Sequence, residues 1–391
     1  MHFNFYIPTR IIFGRGRLDE LAIQPLPGKK ALIVITNGQS MRNLGYLDRI
    51  IRLLKQGGAE AVVFDRVLPN PIEPHIMEAA ELARNNNCDF IVGLGGGSAI
   101  DSAKSISLMV KNPGTYWDYA KNGKKVTEPV LPLIAIPTTA GTGTETDPWT
   151  VITNPETNEK IGFGHDKLFP RMAIVDPELM VSVPKKLTAY QGMDAFFHAA
   201  EGYLACVAQP ISDMLALDTI RLVHDFLPQA VADGSNLQAR EQMAWASTAA
   251  GMVESTSSCI SEHSMEHALS AFYPDLPHGA GLVALSVPYF TYLLKKDPDK
   301  VRVRYVEMAH AMGEQGTTPE IFISALKKLI NDIGLGNLKL SDWGIKPEEA
   351  EKLAANSFEA MGALYELDPV RLDSQDAVEI MRSAIMRGSA G

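Results

Sequence analysis

The sequence predicts an α/β N-terminal domain with a mainly parallel sheet and an all-helical C-terminal domain, over residues 1–184 and 185–391. In the first part, short apolar runs rich in β-branched residues alternate with amphipathic stretches, as is typical of βαβ units. After Pro184, long segments with helical periodicity follow one another, and few extended runs separate them. We expect the boundary between residues 182 and 187.

Each expected strand is a short apolar run that ends at a polar or turn residue, and the next stretch carries its apolar residues on one helical stripe. The expected strands span residues 31–36, 61–64, 90–93, 133–136 and 173–175. Helices are expected over 47–54, over 76–84 and from about Ser98 onward. In the second domain, the expected helices span about 189–208, 211–232, 237–257 and 260–271.

The composition excludes several classes of protein. The 391 residues are 46% hydrophobic, and the longest apolar runs fall far short of the ~20 residues that a membrane span requires. The 36 basic and 46 acidic side chains leave a net charge of −10, which disfavours binding to nucleic acid or anionic lipid. Cys88, Cys206 and Cys259 form no CxxC pair, so we expect reduced thiols. The N-terminal segment lacks the features of a secretory signal, and we expect a cytoplasmic protein.

The first candidate site is a glycine cluster between an expected strand and an expected helix. Gly95, Gly96 and Gly97 allow a ligand to approach the backbone, and the start of the helix offers free N–H groups and a positive dipole end. These features suit a pyrophosphate group. Alternatively, Ser98 or Asp101 simply caps the helix. The cluster also departs from the GxGxxG motif, because Ser98 takes the place of the last glycine when the motif is counted from Gly93.

A second candidate site follows the expected strand 133–136. The segment 136–146 combines two glycines with several hydroxyl side chains, among them those of Thr138, Thr139 and Thr142. Polar ligands of open α/β sheets bind at the carboxyl ends of the strands. A solvated turn is the alternative, but two such loops together favour a dinucleotide site.

The third candidate site is rich in histidine. Asp194 and His198 are four residues apart, as are His263 and His267, so each pair lies on one helix face. His278 follows in a turn that can fold back towards the second pair. Such a set suits a divalent ion such as Fe(II), Zn(II) or Mn(II), with a position left for substrate. For any single histidine, the alternative is a hydrogen-bonded core residue.

These motifs resemble those of the iron-containing (group III) alcohol dehydrogenases, and the resemblance covers nearly the whole chain. The motifs occur in the same order as in that family. They are Phe13-Gly14-x-Gly16, Gly95-Gly96-Gly97-Ser98-x-x-Asp101, Pro137-Thr138-Thr139-Ala140-Gly141-Thr142-Gly143, Gly192-x-Asp194-Ala195-x-x-His198, His263-x-x-x-His267 and Pro277-His278-Gly279.

The resemblance implies a dehydroquinate synthase-like architecture, with a dinucleotide-binding N-terminal domain, a metal-binding helical domain and an active site in the cleft between them. It also implies Fe(II), NAD or NADP, and a homodimer. The implied metal ligands are Asp194, His198, His263 and His278. His267 is implied to lie near the nicotinamide and substrate, and it is our candidate for the proton relay. The implied cofactor contacts are Gly95, Gly96, Gly97, Ser98, Asp101, Thr138, Thr139, Thr142 and Lys160.

The chain departs from the family pattern at three places. Asn37 replaces an aspartate that ends the second βα strand in several NAD-preferring members. Because an amide does not repel a 2′-phosphate, we expect NADP(H) to be accepted at least as readily as in those members, with use of both cofactors rather than of NADP alone. Alternatively, Asn37-Gly38 is only the turn that this dipeptide favours, and the ribose is held elsewhere.

The segment between His267 and His278 is one residue longer than in the lactaldehyde reductase branch. Glu254 replaces an aromatic pocket residue of that branch and Trp149 replaces an asparagine, so the substrate of that branch does not carry over. We expect both residues to line the alcohol pocket and to make one side of it more polar. Alternatively, Glu254 points to solvent or pairs with a distant lysine or arginine.

We therefore expect a metal-dependent, NAD(P)-linked enzyme that interconverts a small primary alcohol or diol and its aldehyde by hydride transfer. Two alternatives remain open. One is a metal- and NAD-dependent lyase or cyclase of the dehydroquinate synthase type, which regenerates its NAD internally. The other is a non-catalytic nucleotide-binding protein.

Overall fold

The chain folds into two compact units, and the first contains a parallel sheet. The computed structural model describes residues 2–387, and the first unit spans residues 6–157 and 161–182. The strands of the chain are β1 (Arg10–Phe13), β2 (Lys30–Thr36), β3 (Glu60–Val67), β4 (Phe90–Gly95), β5 (Leu133–Pro137), β6 (Trp149–Asn154), β7 (Glu159–Gly164) and β8 (Met172–Val175). Six of them form one sheet in the order β1-β8-β5-β4-β2-β3 with parallel neighbours, which confirms the predicted fold class.

Helices cover this sheet and place the loops at its carboxyl edge. They are α1 (Ser40–Asn43), α2 (Tyr46–Gln56), α3 (Glu73–Asn85), α4 (Gly97–Lys111) and α5 (Tyr116–Ala120). Residues 31–35 of β2 have no exposed surface, because both faces of a parallel sheet are covered. α4 packs closely on β4, since a Cβ added at Gly93 would lie 3.0 Å from the Ala103 side chain. The second turn of α4 therefore lies directly against β4.

The hairpin of β6 and β7 lies outside the main sheet, and the sequence analysis did not predict it. Two buried charged side chains of α4 form hydrogen bonds to β6 and to the segment before it. Lys104, which has no exposed surface, donates to the Thr144 hydroxyl at 2.6 Å and to the Asp147 carboxylate at 2.7 Å. Asp101 accepts hydrogen bonds from the Thr144 hydroxyl at 2.7 Å and from the Val151 amide at 3.0 Å. Because buried charges need such partners, this network ties the hairpin to α4.

The second unit is helical, as predicted, and comprises the described residues of 1–5, 158–160 and 183–391. Its helices are α6 (Lys185–Leu204), α7 (Pro210–Ala232), α8 (Leu237–Ser257), α9 (Ser261–Phe272), α10 (His278–Lys296), α11 (Pro298–Ala311), α12 (Glu320–Asp332), α13 (Ala350–Met361) and α14 (Ser374–Met386). α8 coincides with the predicted helix 237–257, whereas α6 begins and ends four residues before the predicted 189–208. The first three residues of α6 are exposed, so its start carries no apolar periodicity. Among the helices of residues 2–387, none has the length and apolar character that a membrane crossing requires.

Two glycines allow the helices of the second unit to approach one another closely. A Cβ at Gly202 of α6 would overlap the Val253 side chain of α8. A Cβ at Gly279 of α10 would overlap the carbonyl of Tyr190 in α6. Since any larger residue would separate these backbones, the glycines determine where α8 and the first turn of α10 lie relative to α6.

A buried carboxyl group lies next to the start of α9. Asp368 Oδ1 accepts hydrogen bonds from the Ser261 amide at 3.1 Å and from the Tyr289 hydroxyl at 2.9 Å. Its Oδ2 has no hydrogen-bond partner among residues 2–387. Burial raises the pKa of Asp368 to about 7, because the charged form loses more hydration than these two donors replace. The folded chain therefore holds a proton here at pH values where the unfolded chain has released it.

We predict that Asp368→Asn removes one source of pH-dependent instability. Between about pH 4 and pH 7 the unfolded chain, with an ordinary pKa of 3.8, binds fewer protons at this position than the folded chain. The free energy of unfolding of the parent must then fall as pH rises, and the contribution present below pH 4 is lost by about pH 7. The free energy of unfolding of the variant, relative to the parent, should rise by about 1.4 kcal/mol per pH unit.

Urea unfolding of metal-free protein at a series of pH values measures this difference. The control is Asp342→Asn, which makes the same substitution at an exposed position. A variant whose pH slope equals that of the parent and of the control would show that Asp368 ionises normally in the folded state.

Candidate functional site

Three helices of the second unit build the predicted histidine site. α6 carries Asp194 and His198 on one face, and α9 carries His263 and His267. α10 begins at His278. Four of these five side chains are buried, although buried polar groups are costly without partners. The structure brings all five predicted residues together in one cluster.

Asp194 lies at the centre of this cluster. Its Oδ1 is 3.8 Å from Nε2 of His198, 3.7 Å from Nε2 of His263 and 3.5 Å from Nε2 of His278. Ligand atoms of Asp194, His263 and His278 all lie within 4.8 Å of one another. Asp194 Oδ1 and His263 Nε2 are buried and have no hydrogen-bond partner in the described part of the chain. Orphaned polar atoms that converge on one point fit a divalent ion with carboxylate and imidazole ligands.

Two further carboxylates orient the histidines from the outer side of the cluster. Glu201 of α6 accepts a hydrogen bond from His263 Nδ1 at 2.5 Å, and Glu266 of α9 accepts one from His278 Nδ1. Since an ionised carboxylate only accepts, each Nδ1 is the donor and each Nε2 keeps its lone pair for a metal ion. Neither glutamate was predicted from the sequence to have a role. Their spacing was the available signal, because Glu201 follows Asp194 by seven residues and Glu266 follows His263 by three.

Lys160 extends this network. Its ammonium group lies 3.5 Å from Glu266 Oε2 and donates to the Ser270 hydroxyl at 2.8 Å. Burial opposes the ionisation of Glu266, but the electrostatic interactions with His278 and Lys160 outweigh it and lower the pKa of Glu266. Lys160, expected to contact the cofactor, therefore also balances the charge of a carboxylate that supports the cluster.

Burial and neighbouring charges act against each other within the cluster. Burial lowers the pKa of His198 to about 4, so this imidazole is uncharged at neutral pH, and burial also lowers the pKa of His267. Burial disfavours the charged forms of Asp194 and His263 as well. The surrounding imidazoles nevertheless lower the pKa of Asp194, and the Glu201 carboxylate raises the pKa of His263. An ionised carboxylate thus lies among imidazoles, which is a donor set that divalent transition metals prefer.

Glu254 and Trp149, the two residues expected to line the substrate pocket, lie in different units of the chain. Glu254 of α8 has its Oε2 3.8 Å from His198 Nε2, which equals the distance from that nitrogen to Asp194 Oδ1. The Trp149 indole packs against Gly164 within the hairpin, where an added Cβ would overlap its ring. Glu254 therefore belongs to the immediate surroundings of the cluster.

The predicted glycine and threonine loops meet at the carboxyl edge of the sheet in the first unit. β4 and β5 are neighbours, so the loops that follow them lie side by side. A Cβ at Gly96 would lie 2.9 Å from Thr139 Oγ1, and a Cβ at Gly97 would lie 2.7 Å from Thr142 Cγ2. The lack of side chains lets the threonines reach the start of α4, where backbone N–H groups are available to an anion.

The remaining residues of these loops make backbone and buried contacts. The Thr138 amide donates to the Gly95 carbonyl at 2.9 Å, and Gly95 has a φ of 147°, which glycine adopts readily. The Ser98 hydroxyl donates to the Pro69 carbonyl. The alternative that Ser98 or Asp101 caps α4 is wrong, because the helix starts before both residues and has no side-chain cap. Asp101 instead holds the hairpin.

Asn37 lies at the carboxyl end of β2 in an exposed position. Its backbone amide donates to the Val67 carbonyl at 2.8 Å. Arg42 of α1 forms an exposed ion pair with Asp65. The side chain after β2 is therefore the neutral amide of Asn37. The guanidinium of Arg42, five residues further along the chain, is already paired with the Asp65 carboxylate.

Two family models match the chain and together cover most of it. The model for iron-containing alcohol dehydrogenase matches residues 8–177. The model for the C-terminal part of the Fe-containing alcohol dehydrogenase family matches residues 188–385. Both confirm the resemblance that the sequence motifs indicated.

Known proteins are similar along nearly the whole chain. The NAD-dependent methanol dehydrogenase of Bacillus methanolicus is 33% identical over 393 residues, covering 98% of this chain and 100% of the relative. The choline dehydrogenase of Bacillus subtilis strain 168 is 36% identical over 361 residues, covering 90% of this chain and 88% of the relative. A solved structure of 1,3-propanediol oxidoreductase is 35% identical with a TM-score of 0.90, covering 98% of this chain and 100% of that one.

The family models, the relatives and the fold agree with one another, and they favour a dehydrogenase over a lyase of the dehydroquinate synthase type. The chain belongs to the iron-containing alcohol dehydrogenase family and is an oxidoreductase of that family.

Proposed function

We propose that this chain interconverts a small primary alcohol or diol and its aldehyde, with iron in the cluster and NAD or NADP as the hydride carrier. The observation that carries the proposal is the position of Asp194, whose Oδ1 faces three imidazole nitrogens at 3.5 to 3.8 Å in a buried site. Relatives named for methanol, choline and 1,3-propanediol support a small alcohol as the substrate.

The proposed metal ligands are Asp194, His198, His263 and His278. Fe(II) is the proposed ion, with Zn(II) and Mn(II) as alternatives. A divalent ion at this position supplies Lewis-acid polarisation of the substrate oxygen. Glu201 and Glu266 hold two of the imidazoles in a fixed tautomer and direction, and such outer partners support both metal affinity and activity.

His267 is the proposed carrier of the alcohol proton. Its ring centroid lies 5.5 Å from that of His278, and its Nδ1 has no hydrogen-bond partner among residues 2–387. Burial lowers the pKa of His267, so the neutral imidazole is available to accept a proton.

The proposed dinucleotide site comprises the paired loops at the carboxyl edge of the sheet and the residue that ends β2. The closeness of the glycines to the threonines and the free start of α4 support this assignment. The proposed contacts are Asn37, Gly95, Gly96, Gly97, Ser98, Asp101, Thr138, Thr139, Thr142 and Lys160.

The arrangement of the whole enzyme is proposed from the sequence pattern and the family resemblance. Residues 1–184 would form the nucleotide-binding domain and residues 185–391 the metal-binding domain. The protein would act as a cytoplasmic homodimer, without nucleic acid or membrane partners.

We predict net accumulation of NADH when the iron-loaded protein is incubated with NAD and short primary alcohols or diols. A dehydrogenase consumes one oxidised cofactor per alcohol, whereas a lyase of the dehydroquinate synthase type regenerates it. Absorbance of the reduced nicotinamide measures the difference. Substrate conversion without NADH would favour the lyase, and absence of any turnover on the panel would favour a nucleotide-binding protein.

We predict that His263→Ala abolishes turnover and most metal binding, because it removes an imidazole next to Asp194 and takes the imidazole donor away from the buried Oε1 of Glu201. Metal content per chain and turnover are the two measurements. His224→Ala, which changes a partly exposed histidine of α7, is the matched control and should retain both. Normal metal content together with normal turnover in His263→Ala would contradict the ligand assignment.

We predict that Asn37→Asp lowers kcat/KM for NADPH at least ~10-fold while changing that for NADH much less, because a carboxylate repels a 2′-phosphate and accepts a hydrogen bond from a 2′-hydroxyl. Kinetics with both cofactors in the parent and the variant measure the effect. Asn122→Asp adds the same charge at an exposed position after α5 and serves as the control. An unchanged ratio of NADPH to NADH use would show that position 37 does not contact the 2′ group.

A further inference from the structure

Glu254 places a second carboxyl group beside the metal-facing nitrogen of His198. Its Oε2 and Asp194 Oδ1 are each 3.8 Å from His198 Nε2. α8 reaches this position because Gly202 of α6 leaves room for the side chain of Val253, the residue before Glu254. Asp194 faces three imidazoles and forms the centre of the cluster, whereas Glu254 enters from a different helix.

The exposure of the cluster members shows which side is open. The side chains of Glu201 and Glu266 are 0% exposed and that of Asp194 is 5% exposed. Glu254 is 14% exposed and His278 is 24% exposed. Glu254 and His278 are therefore the members of the cluster that keep the most contact with solvent.

We propose that Glu254 binds a positively charged group of the substrate and that the preferred substrate is a short amino alcohol. A carboxylate attracts an ammonium group and accepts its hydrogen bonds, whereas it repels a carboxylate or phosphate on a competing alcohol. This inference rests on the proposed alcohol dehydrogenase function and names the substrate class of the same site.

The short distance between Glu254 and His198 limits the length of that substrate. Glu254 Oε2 and His198 Nε2 are 3.8 Å apart. A substrate whose hydroxyl reaches the cluster while its charged group contacts Glu254 must therefore be short. A two-carbon spacer separates an alcohol oxygen from an amine nitrogen by about 3–4 Å, given bonds of about 1.5 Å. Ethanolamine has this spacing, and n-propanol is its neutral counterpart with the same number of heavy atoms.

The kinetic test compares these two alcohols in the parent and in Glu254→Gln, which retains the shape and removes the charge. At neutral pH, where the amine is protonated, we expect the parent to prefer ethanolamine. The substitution should lower kcat/KM for ethanolamine at least ~10-fold and that for n-propanol less than about 3-fold, since only one substrate loses a charge partner. Glu241→Gln, on the same helix about 20 Å away, is the control and should leave both values unchanged.

A binding measurement provides a readout that does not depend on turnover. Calorimetric titration of the metal-loaded protein with tetramethylammonium chloride should give saturable binding that Glu254→Gln weakens and Glu241→Gln does not, with sodium chloride as the ionic-strength control. Metal content must stay at the parent level in Glu254→Gln. Loss of metal in that variant would instead identify Glu254 as a ligand and overturn the proposal.

The outcomes separate this inference from the function on which it rests. Turnover of n-propanol with equal effects of Glu254→Gln on both alcohols, and no ammonium binding, would refute the role of Glu254 while leaving the dehydrogenase intact. Failure of the parent to oxidise any alcohol would refute the proposed function itself. Preference for ethanolamine that disappears in Glu254→Gln would establish both.

Discussion

Pairs of buried carboxylates and imidazoles determine the geometry of the helical unit's site. Glu201 and Glu266 have no exposed surface, and an ionised carboxyl group at that depth is costly unless it is hydrogen-bonded. Each accepts from the Nδ1 of one histidine, and Glu201 also accepts from the Ile260 amide at 2.7 Å. His263 and His278 are thereby held in one tautomer with Nε2 towards the centre. Both nitrogens then face Asp194 Oδ1, at 3.7 Å and 3.5 Å.

The close helix contacts make those pairs possible. Gly279 brings the first turn of α10 against the Tyr190 carbonyl of α6, so that His278 reaches Asp194. Gly281, two positions further, leaves space for the Glu266 side chain. Larger residues at these positions would separate the helices, and the carboxylates would lose their donors while remaining buried. The carboxylate–imidazole pairs therefore depend on the close approach of the helix backbones.

Much of the fold was predictable because it follows from local patterns. The strands of the parallel sheet are apolar runs, and α8 has both ends where its periodicity begins and ends. The hairpin of β6 and β7 was not predictable in this way. It depends on Lys104 and Asp101, two charged residues inside a buried helix, and their partners lie more than forty residues further along the chain. A single sequence carries no periodic signal for a buried charge and its distant partner.

Spacing along the chain was enough to predict which candidate side chains share a helix face. The spacing of Asp194 with His198, and of His263 with His267, assigns each pair to one helix face, and the glycines before α4 leave its first turn accessible. Three features of the site depend on contacts between helices: His278 faces Asp194, Glu201 and Glu266 orient the imidazoles, and Glu254 lies beside His198. The physical reason is that helical periodicity relates residues within one helix, whereas contacts between helices depend on close packing that no local pattern encodes.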